Sequence, residues 1–237
     1  HILAFRDSGG ELPPPPSAEL VQEMMAFIGC ADIPDDTVPM MLSELNLAAE
    51  GVPSPEAPPV AHGEFPVVVI GCGQSGLLAG IRLREAGIPF TIIDKNAGPG
   101  GTWWENSYPG ARVDVGSHFY CYSFEPADHW TEYFSQHAEL RDYFVGVMHK
   151  YGIDEHCRFE TEVEAATFDE TAGTWTVRVR AADGTFDELP ARAVISAVGS
   201  LNRPKLPDIP GIDDFDGPSF HSIRWDHSVD VTGTRFA

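Results

Sequence analysis

Gly71-Cys72-Gly73-Gln74-Ser75-Gly76 sets three glycines at the spacing G-x-G-x-x-G, and Asp94 closes the apolar run that follows. This is the chemistry of a dinucleotide phosphate site. Gly71 allows the tight turn, Gly73 lets a pyrophosphate approach the backbone, and Gly76 lets the helix pack closely on the strand. The amides of Gln74 and Ser75, at the positive end of that helix, would face the phosphates. Asp94 can accept hydrogen bonds from both ribose hydroxyls of an adenosine, and its charge disfavours a 2′-phosphate. The site therefore predicts FAD or NAD rather than NADP, with Lys95 as a further contact. The glycine spacing alone is a weak signal, because glycine loops also pack without ligand. The buried strand before it and the helix after it strengthen it.

Two more groups carry chemistry. Gly98-Pro99-Gly100-Gly101-Thr102-Trp103-Trp104 and Tyr108-Pro109-Gly110-Ala111-Arg112-Val113-Asp114 combine small residues, which let a chain pass close to a flat ring, with aromatics able to wall a flavin. Taken singly, a tryptophan is more often core than cofactor wall. Residues 215–226 fit Phe-x-Gly-x-x-x-His-x-x-x-Trp-Asp through Phe215, Gly217, His221, Trp225 and Asp226. A histidine so placed could act as a general base.

This last pattern is similar to the signature of type I Baeyer–Villiger monooxygenases. The loop segments resemble the Gly-Gly-Thr-Trp and Tyr-Pro-Gly-x-x-x-Asp stretches that wrap FAD and face the nicotinamide in that family. The resemblance covers residues 65–237. It implies an α/β fold, a Rossmann-like FAD-binding domain of the glutathione-reductase-like kind with an antiparallel β-meander. Asp114 then corresponds to the catalytic aspartate that positions an active-site arginine beside the flavin. Arg112 resembles a position near the nicotinamide cofactor, Tyr120 and the backbone at Val163 resemble flavin contacts, and Gly101, Thr102, Trp103, Val113 and Gly199 are implied as further cofactor-binding positions. The signature falls on the interdomain linker, which favours a conformational role for His221 over proton transfer. Ser107 departs from the pattern, since many members carry arginine before Tyr-Pro-Gly.

The activity implied is insertion of one O2-derived oxygen next to a ketone carbonyl, with FAD, NADPH and a C4a-peroxyflavin. The alternatives are an N- or S-oxygenating flavin-containing monooxygenase, against which the Trp225-Asp226 ending speaks, or a non-catalytic FAD-binding fragment. The implied partners are a small ketone, O2, the remainder of the same enzyme and a second copy in a homodimer. Residues 20–50, in segments such as Val38-Pro39-Met40-Met41-Leu42-Ser43-Glu44-Leu45, bear a weaker likeness to the N-terminal extension of hydroxyacetophenone monooxygenases, which act on aryl ketones.

The elements that must position these groups follow from periodicity. Residues 66–70 are a continuous apolar strand, 75–85 a helix and 90–93 a second buried strand, together a βαβ unit. Residues 95–125 show little periodicity and predict a long functional loop. A helix is expected over 137–151, a meander of strands over 158–168, 174–180 and 186–189, and a buried strand over 193–198. Residues 1–59 predict a short helical extension. Ser17 caps a helix with Leu20, Val21, Met24, Phe27 and Ile28 on one face, and a second helix carries Val38, Met41, Leu42 and Leu45. Pro13 to Pro16 precede them, and Pro53, Pro55, Pro58 and Pro59 mark a linker. The FAD-binding domain is then expected over 60–203. Residues 204–237 form an interdomain linker and, at Thr232-Gly233-Thr234-Arg235-Phe236-Ala237, the entry to an NADPH-binding domain.

The chain of 237 residues carries 36 acidic and 15 basic side chains, a net charge of −21, which argues against nucleic acid or an anionic membrane as partner. With 43% apolar residues it can bury a core. The longest strongly apolar run, Val67-Val68-Val69-Ile70, is too short to span a bilayer, so a cytoplasmic protein is expected. Cys30, Cys72, Cys121 and Cys157 show no metal-ligand spacing and predict reduced thiols with no metal site. The chain starts at His1 rather than Met and shows no second G-x-G-x-x-G, so it is expected to be the flavin half of a longer enzyme, inactive alone.

Overall fold

A computed structural model of the chain describes residues 16–29, 31–44 and 65–235. Pro13 to Pro15, Cys30, Leu45, the Pro53 to Pro59 linker, the 59/60 boundary and the last two residues lie outside them. The chain divides into two compact units.

The smaller unit comprises helices α1 (Ala18–Gly29) and α2 (Val38–Glu44) together with residues 122–126. Ser17 caps α1 as its type predicts, its hydroxyl accepting from Leu20 N–H at 3.3 Å. The Gln22 amide donates to Ile33 O at 2.7 Å and Asp35 Oδ1 at 2.9 Å, which fixes the turn into α2. The apolar stripe of α1 is only partly covered. Val21 and Val38 are buried, whereas Leu20, Met24, Phe27 and Ile28 are exposed. An α2 of seven residues is too short to cover the stripe.

The larger unit is built on a four-stranded parallel sheet in the order β3-β2-β1-β7, from β1 (Val67–Ile70), β2 (Phe90–Ile93), β3 (Cys157–Arg158) and β7 (Ala193–Ser196). Val67 to Ile70 pair in register with Phe90 to Ile93 on one side and Ala193 to Ser196 on the other. Central strands of a parallel sheet are covered on both faces, which is why β1 and β2 read as short apolar runs without alternation. Helix α3 (Gln74–Glu85) crosses between β1 and β2 and buries Gly76, Leu77, Gly80 and Ile81. A Cβ at Gly80 would stand 2.8 Å from Ile92 Cδ1, so this glycine sets how closely helix and sheet approach. Helix α5 (His137–Lys150) contributes Leu140, Phe144, Val147 and Met148 to the core.

Strands β4 (Thr161–Asp169), β5 (Thr174–Ala181) and β6 (Phe186–Ala191) form the antiparallel meander. Val177, Val179 and Ala191 pack with Val68 and Ile93, so meander and parallel sheet share one core. The strand expected over 158–168 is two strands. Cys157–Arg158 belongs to the parallel sheet, and the meander starts at Thr161. Glu160 stands between them with φ +50°, its N–H donating to Asn96 O at 2.8 Å. This turn redirects the chain from one sheet to the other.

Candidate functional site

A cleft of about 640 Å³ opens at the carboxyl ends of β1, β2 and β7, where Ile70, Ile93 and Ala197 form part of its wall. Open parallel sheets hold ligands at this edge. Gly71 turns the chain out of β1 at φ +102°, and a Cβ there would stand 2.6 Å from Ala197 O. Only glycine fits both the angle and the space. Gly76 sits one turn into α3, where a Cβ would lie 1.8 Å from Gly71 O. Gly73 faces Gly101 across the floor, and a Cβ on Gly101 would come within 2.9 Å of Gly73 Cα. The two bare backbones leave a channel that side chains would fill. Gly73 is the N-cap of α3 and no side chain caps it, and the first amide bonded back is that of Leu77, to Gly73 O at 3.0 Å. The helix end is thus directed at the cleft at Gln74 and Ser75, which line it.

Asp94 is buried and lines the same cleft. Its Oδ2 accepts from Cys72 N–H at 2.6 Å and its Oδ1 from Asn96 N–H at 2.8 Å. Burial raises its pKa, and the two amides pull the other way. Each oxygen retains a lone pair that can accept from a diol. Lys95 bonds Asn202 Oδ1 at 2.7 Å and pairs with Glu105 at 2.9 Å, which ties the end of β2 to the segment leaving β7.

The loop expected to be irregular contains a helical turn, α4 (Thr102–Glu105), which starts at Gly101. This turn sends the two tryptophans to different places. Trp103 is buried at the cleft wall, with its indole N–H donating to Tyr120 OH at 3.1 Å and its ring edge-on to that of Tyr120 at 5.5 Å. Trp104 packs over Gly98, where a Cβ would meet its ring at 2.4 Å, and borders a neighbouring cavity of about 330 Å³.

Gly71, Gly73, Gln74, Ser75, Asp94, Lys95, Gly101, Thr102, Trp103, Tyr120, Val163 and Gly199 all line the one cleft. Gly76 lies directly beneath it. Arg112, Val113 and Asp114 do not line it. Val113 is buried in the core, Arg112 is exposed and pairs with Glu132 at 2.9 Å, and Asp114 is exposed without an ion pair or side-chain hydrogen bond among the described residues. Sequence reasoning missed Asn96, Glu105, Asn202 and Ile223, which also line the cleft. The polar pair Asn202-Arg203, three residues after Gly199, is the sole sequence signal for one of them.

In the 215–226 segment Phe215 is exposed and lies over Gly217, where a Cβ would meet its ring at 2.5 Å. Phe220 packs edge-on to Trp225 at 5.0 Å. His221 Nδ1 accepts from Ile223 N–H at 3.2 Å and caps the 3₁₀ turn Ser222–Arg224. The turn presents Ile223 to the cleft. Asp226 accepts from Ser228 N–H at 2.9 Å and its hydroxyl at 2.6 Å, which holds its carboxyl below the usual range. His227 Nε2 lies 2.8 Å from Ser107 Oγ and fastens the segment to the loop. No group of three or more His, Cys, Asp and Glu among the described residues could hold a metal, and no described helix is long and apolar enough to cross a membrane.

A family model described as an NAD(P)-binding Rossmann-like domain matches residues 69–137. The chain is 43% identical over 177 residues to a Baeyer-Villiger monooxygenase of Streptomyces coelicolor, covering 74% of this chain and 33% of that protein. Among solved structures, an oxidized steroid monooxygenase bound to NADP matches with a TM-score of 0.63 and 38% identity, covering 71% of this chain and 32% of that one. OTEMO in complex with FAD and NADP matches with a TM-score of 0.63 and 35% identity, covering 70% of this chain and 31% of the other. The chain spans about a third of the length of these relatives.

Proposed function

From its membership of the type I Baeyer–Villiger monooxygenases, we propose that this chain is the FAD-holding part of an enzyme that uses NADPH and O2 to insert oxygen next to a ketone carbonyl. The observation that carries the reading is the facing pair Gly73 and Gly101, with Asp94 at one end of the cleft and the Trp103–Tyr120 pair on its wall. The residues fit the cofactor. Gln74 and Ser75 at the start of α3 would hold the pyrophosphate, Asp94 the adenosine ribose, and Trp103 with Tyr120 and Val163 the apolar side of the ring.

When bound, FAD supplies hydride acceptance and activation of O2, for which no side chain has the electronics. The chain's own residues do the rest. The Trp103 indole and the buried strand ends keep water from the ring side of the cleft, and Asp94 fixes the register of the dinucleotide. Asp114 acts outside this cleft. Its exposed, unpaired carboxylate supports a role in meeting an arginine of the nicotinamide-binding remainder of the enzyme and positioning it near the flavin, with Arg112 on the same surface. The same reading takes residues 1–59 as an extension, 60–203 as the FAD domain and 204–237 as the linker. It gives a homodimer acting on aryl ketones, supported by the likeness of residues 20–50 to the extension of hydroxyacetophenone monooxygenases, and a cytoplasmic site, where NADPH is supplied.

The purified full protein should carry a flavin released on denaturation as FAD. Supplied with NADPH, O2 and an acetophenone it should form the ester. Formation of an N-oxide or sulfoxide from amine or sulfide substrates, with no ester from any ketone, would overturn the ketone reading and leave the flavin one standing.

A further inference from the structure

Two cysteines meet beneath the dinucleotide turn. Cys72, between Gly71 and Gly73, is fully buried, and its Sγ lies 3.9 Å from Sγ of Cys157 on β3. Cys157 is half-buried, its thiol also within 3.4 Å of Ile153 O. Neither is in a disulfide. The placement is unusual for two packed apolar thiols because both main-chain groups of Cys72 belong to the cleft. Its N–H donates to Asp94 Oδ2 at 2.6 Å, and its C=O accepts from Gly100 N–H at 3.0 Å. Cys72 therefore connects the glycine turn, the ribose-side acid and the Gly98–Gly101 loop.

We infer that Cys72 and Cys157 form a peroxide-oxidisable dithiol, a modification site whose disulfide pulls the dinucleotide turn out of its binding geometry. Cys157 is the entry point because it is reachable. Hydrogen bonding to the Cys157 sulfur and burial push the Cys72 thiol well above the ordinary thiol range, so Cys72 is not the thiol that meets peroxide first. In the first step the Cys157 sulfur attacks one oxygen of hydrogen peroxide. An S–O bond forms, the O–O bond breaks, the thiol proton goes to the leaving oxygen, and water departs with Cys157 as the sulfenic acid. In the second, the Cys72 sulfur attacks Cys157 sulfur, the S–S bond forms, the S–O bond breaks, and the Cys72 proton leaves with the hydroxyl as a second water. Two thiols are oxidised by two electrons and one peroxide is reduced to two waters.

A disulfide requires the sulfurs to close to about 2.05 Å. They start at 3.9 Å, so one side must move. Cys157 is held in the β3 ladder beside Ile92, whereas Cys72 is on a turn, so the movement falls on Cys72 and strains its bonds to Asp94 and Gly100. The effect on flavin rests on the function proposed above, but the crosslink does not.

The full protein is treated with hydrogen peroxide, denatured, alkylated and digested without reductant. A Cys72–Cys157 crosslinked peptide that dithiothreitol removes is expected. With the crosslink present, FAD binding should weaken by about tenfold or more, the equivalent of about 1.4 kcal/mol, and recover on reduction. Cys157→Ser should keep its FAD affinity through the same treatment. Both thiols remaining alkylatable at a peroxide dose that oxidises Cys121, which is half-buried like Cys157, or Cys157 passing to sulfinic acid without crosslinking, would overturn the site. A crosslink with unchanged FAD affinity would overturn the coupling to the turn. A protein that never bound FAD would still show the crosslink, so the two proposals fail separately.

Discussion

The backbone N–H of Cys72 donates to Oδ2 of Asp94 at 2.6 Å, so one carboxylate joins the glycine turn after β1 to the end of β2. The other oxygen holds Asn96 N–H at 2.8 Å. Asp94 is therefore a brace for the cleft, in addition to the ribose-binding role proposed for it.

Asp94→Ala should for that reason weaken both flavin binding and the fold. The buried Cys72 amide loses its acceptor at a cost of about 1–3 kcal/mol, and the part-buried Asn96 amide loses its own as well. Thermal unfolding should show a loss of several degrees, and titration with FAD a loss of affinity. An unchanged melting temperature would mean that water replaces the carboxylate. The pH sign is opposite to that of an ordinary stabilising acid. Burial sets the folded pKa of Asp94 above its unfolded value, so its charged form opposes folding at neutral pH. That opposition fades as pH falls through the folded pKa.

The two glycines of the turn should separate fold from binding. At Gly76 a Cβ would lie 1.8 Å from Gly71 O, so Gly76→Ala should prevent the protein from folding in soluble form. At Gly73 the nearest atom to a Cβ is Gly101 Cα at 3.5 Å, an ordinary contact. Gly73→Ala should fold with a melting temperature within a few degrees of the parent, and yet bind FAD at least about tenfold more weakly because the channel narrows. Equal FAD affinity in Gly73→Ala would show that no pyrophosphate passes there.

Much of this was legible in the sequence because its signals are local. The apolar runs 67–70 and 90–93, the glycines between them and Asp94 are each recognisable from residue type and short spacing. The same applies to Trp103 and Tyr120, which pair across one loop. Other features depend on contacts that no local pattern carries. Glu160 takes a left-handed conformation without being glycine or asparagine, so nothing in its type marks the break between β3 and β4. Residues Arg112 and Asp114 follow the loop motif in register, but Arg112 bridges to Gln136 and neither lines the cleft. Asn202 joins the cleft through Lys95, 107 positions earlier, and Ile223 through a turn whose cap is a histidine. In Ser107 the sequence flagged a departure, and the structure gives it a partner in His227.

Asp226 should give the segment around residues 215–228 an acid limit. The Ser228 hydroxyl and amide lower its folded pKa below its unfolded value. Its contribution to stability is thus complete above the unfolded pKa, about 3.9, and lost as pH falls through the folded value. Parallel thermal melts of the parent and Asp226→Asn across acid pH should diverge above that point and converge below it. A constant gap at every pH would mean that the carboxylate charge is irrelevant to the turn.

His221 should behave as a cap rather than as a base. Its Nδ1 accepts from Ile223 N–H at 3.2 Å, which places Ile223 at the cleft. Asparagine is a strong cap residue with a side-chain oxygen of comparable reach, whereas alanine offers no acceptor, and losing a cap typically costs about 0.5–2 kcal/mol. In the full protein His221→Asn should therefore retain a substantial part of the NADPH-dependent oxygenation proposed for the parent. His221→Ala should lose most of it, together with protection of the 222–228 amides in hydrogen exchange. If proton transfer by the imidazole were the role, asparagine and alanine would be equally inactive, and the exchange pattern of the asparagine variant would match the parent's. Measuring rate and exchange on the same two variants distinguishes a group that holds the turn from one that moves a proton.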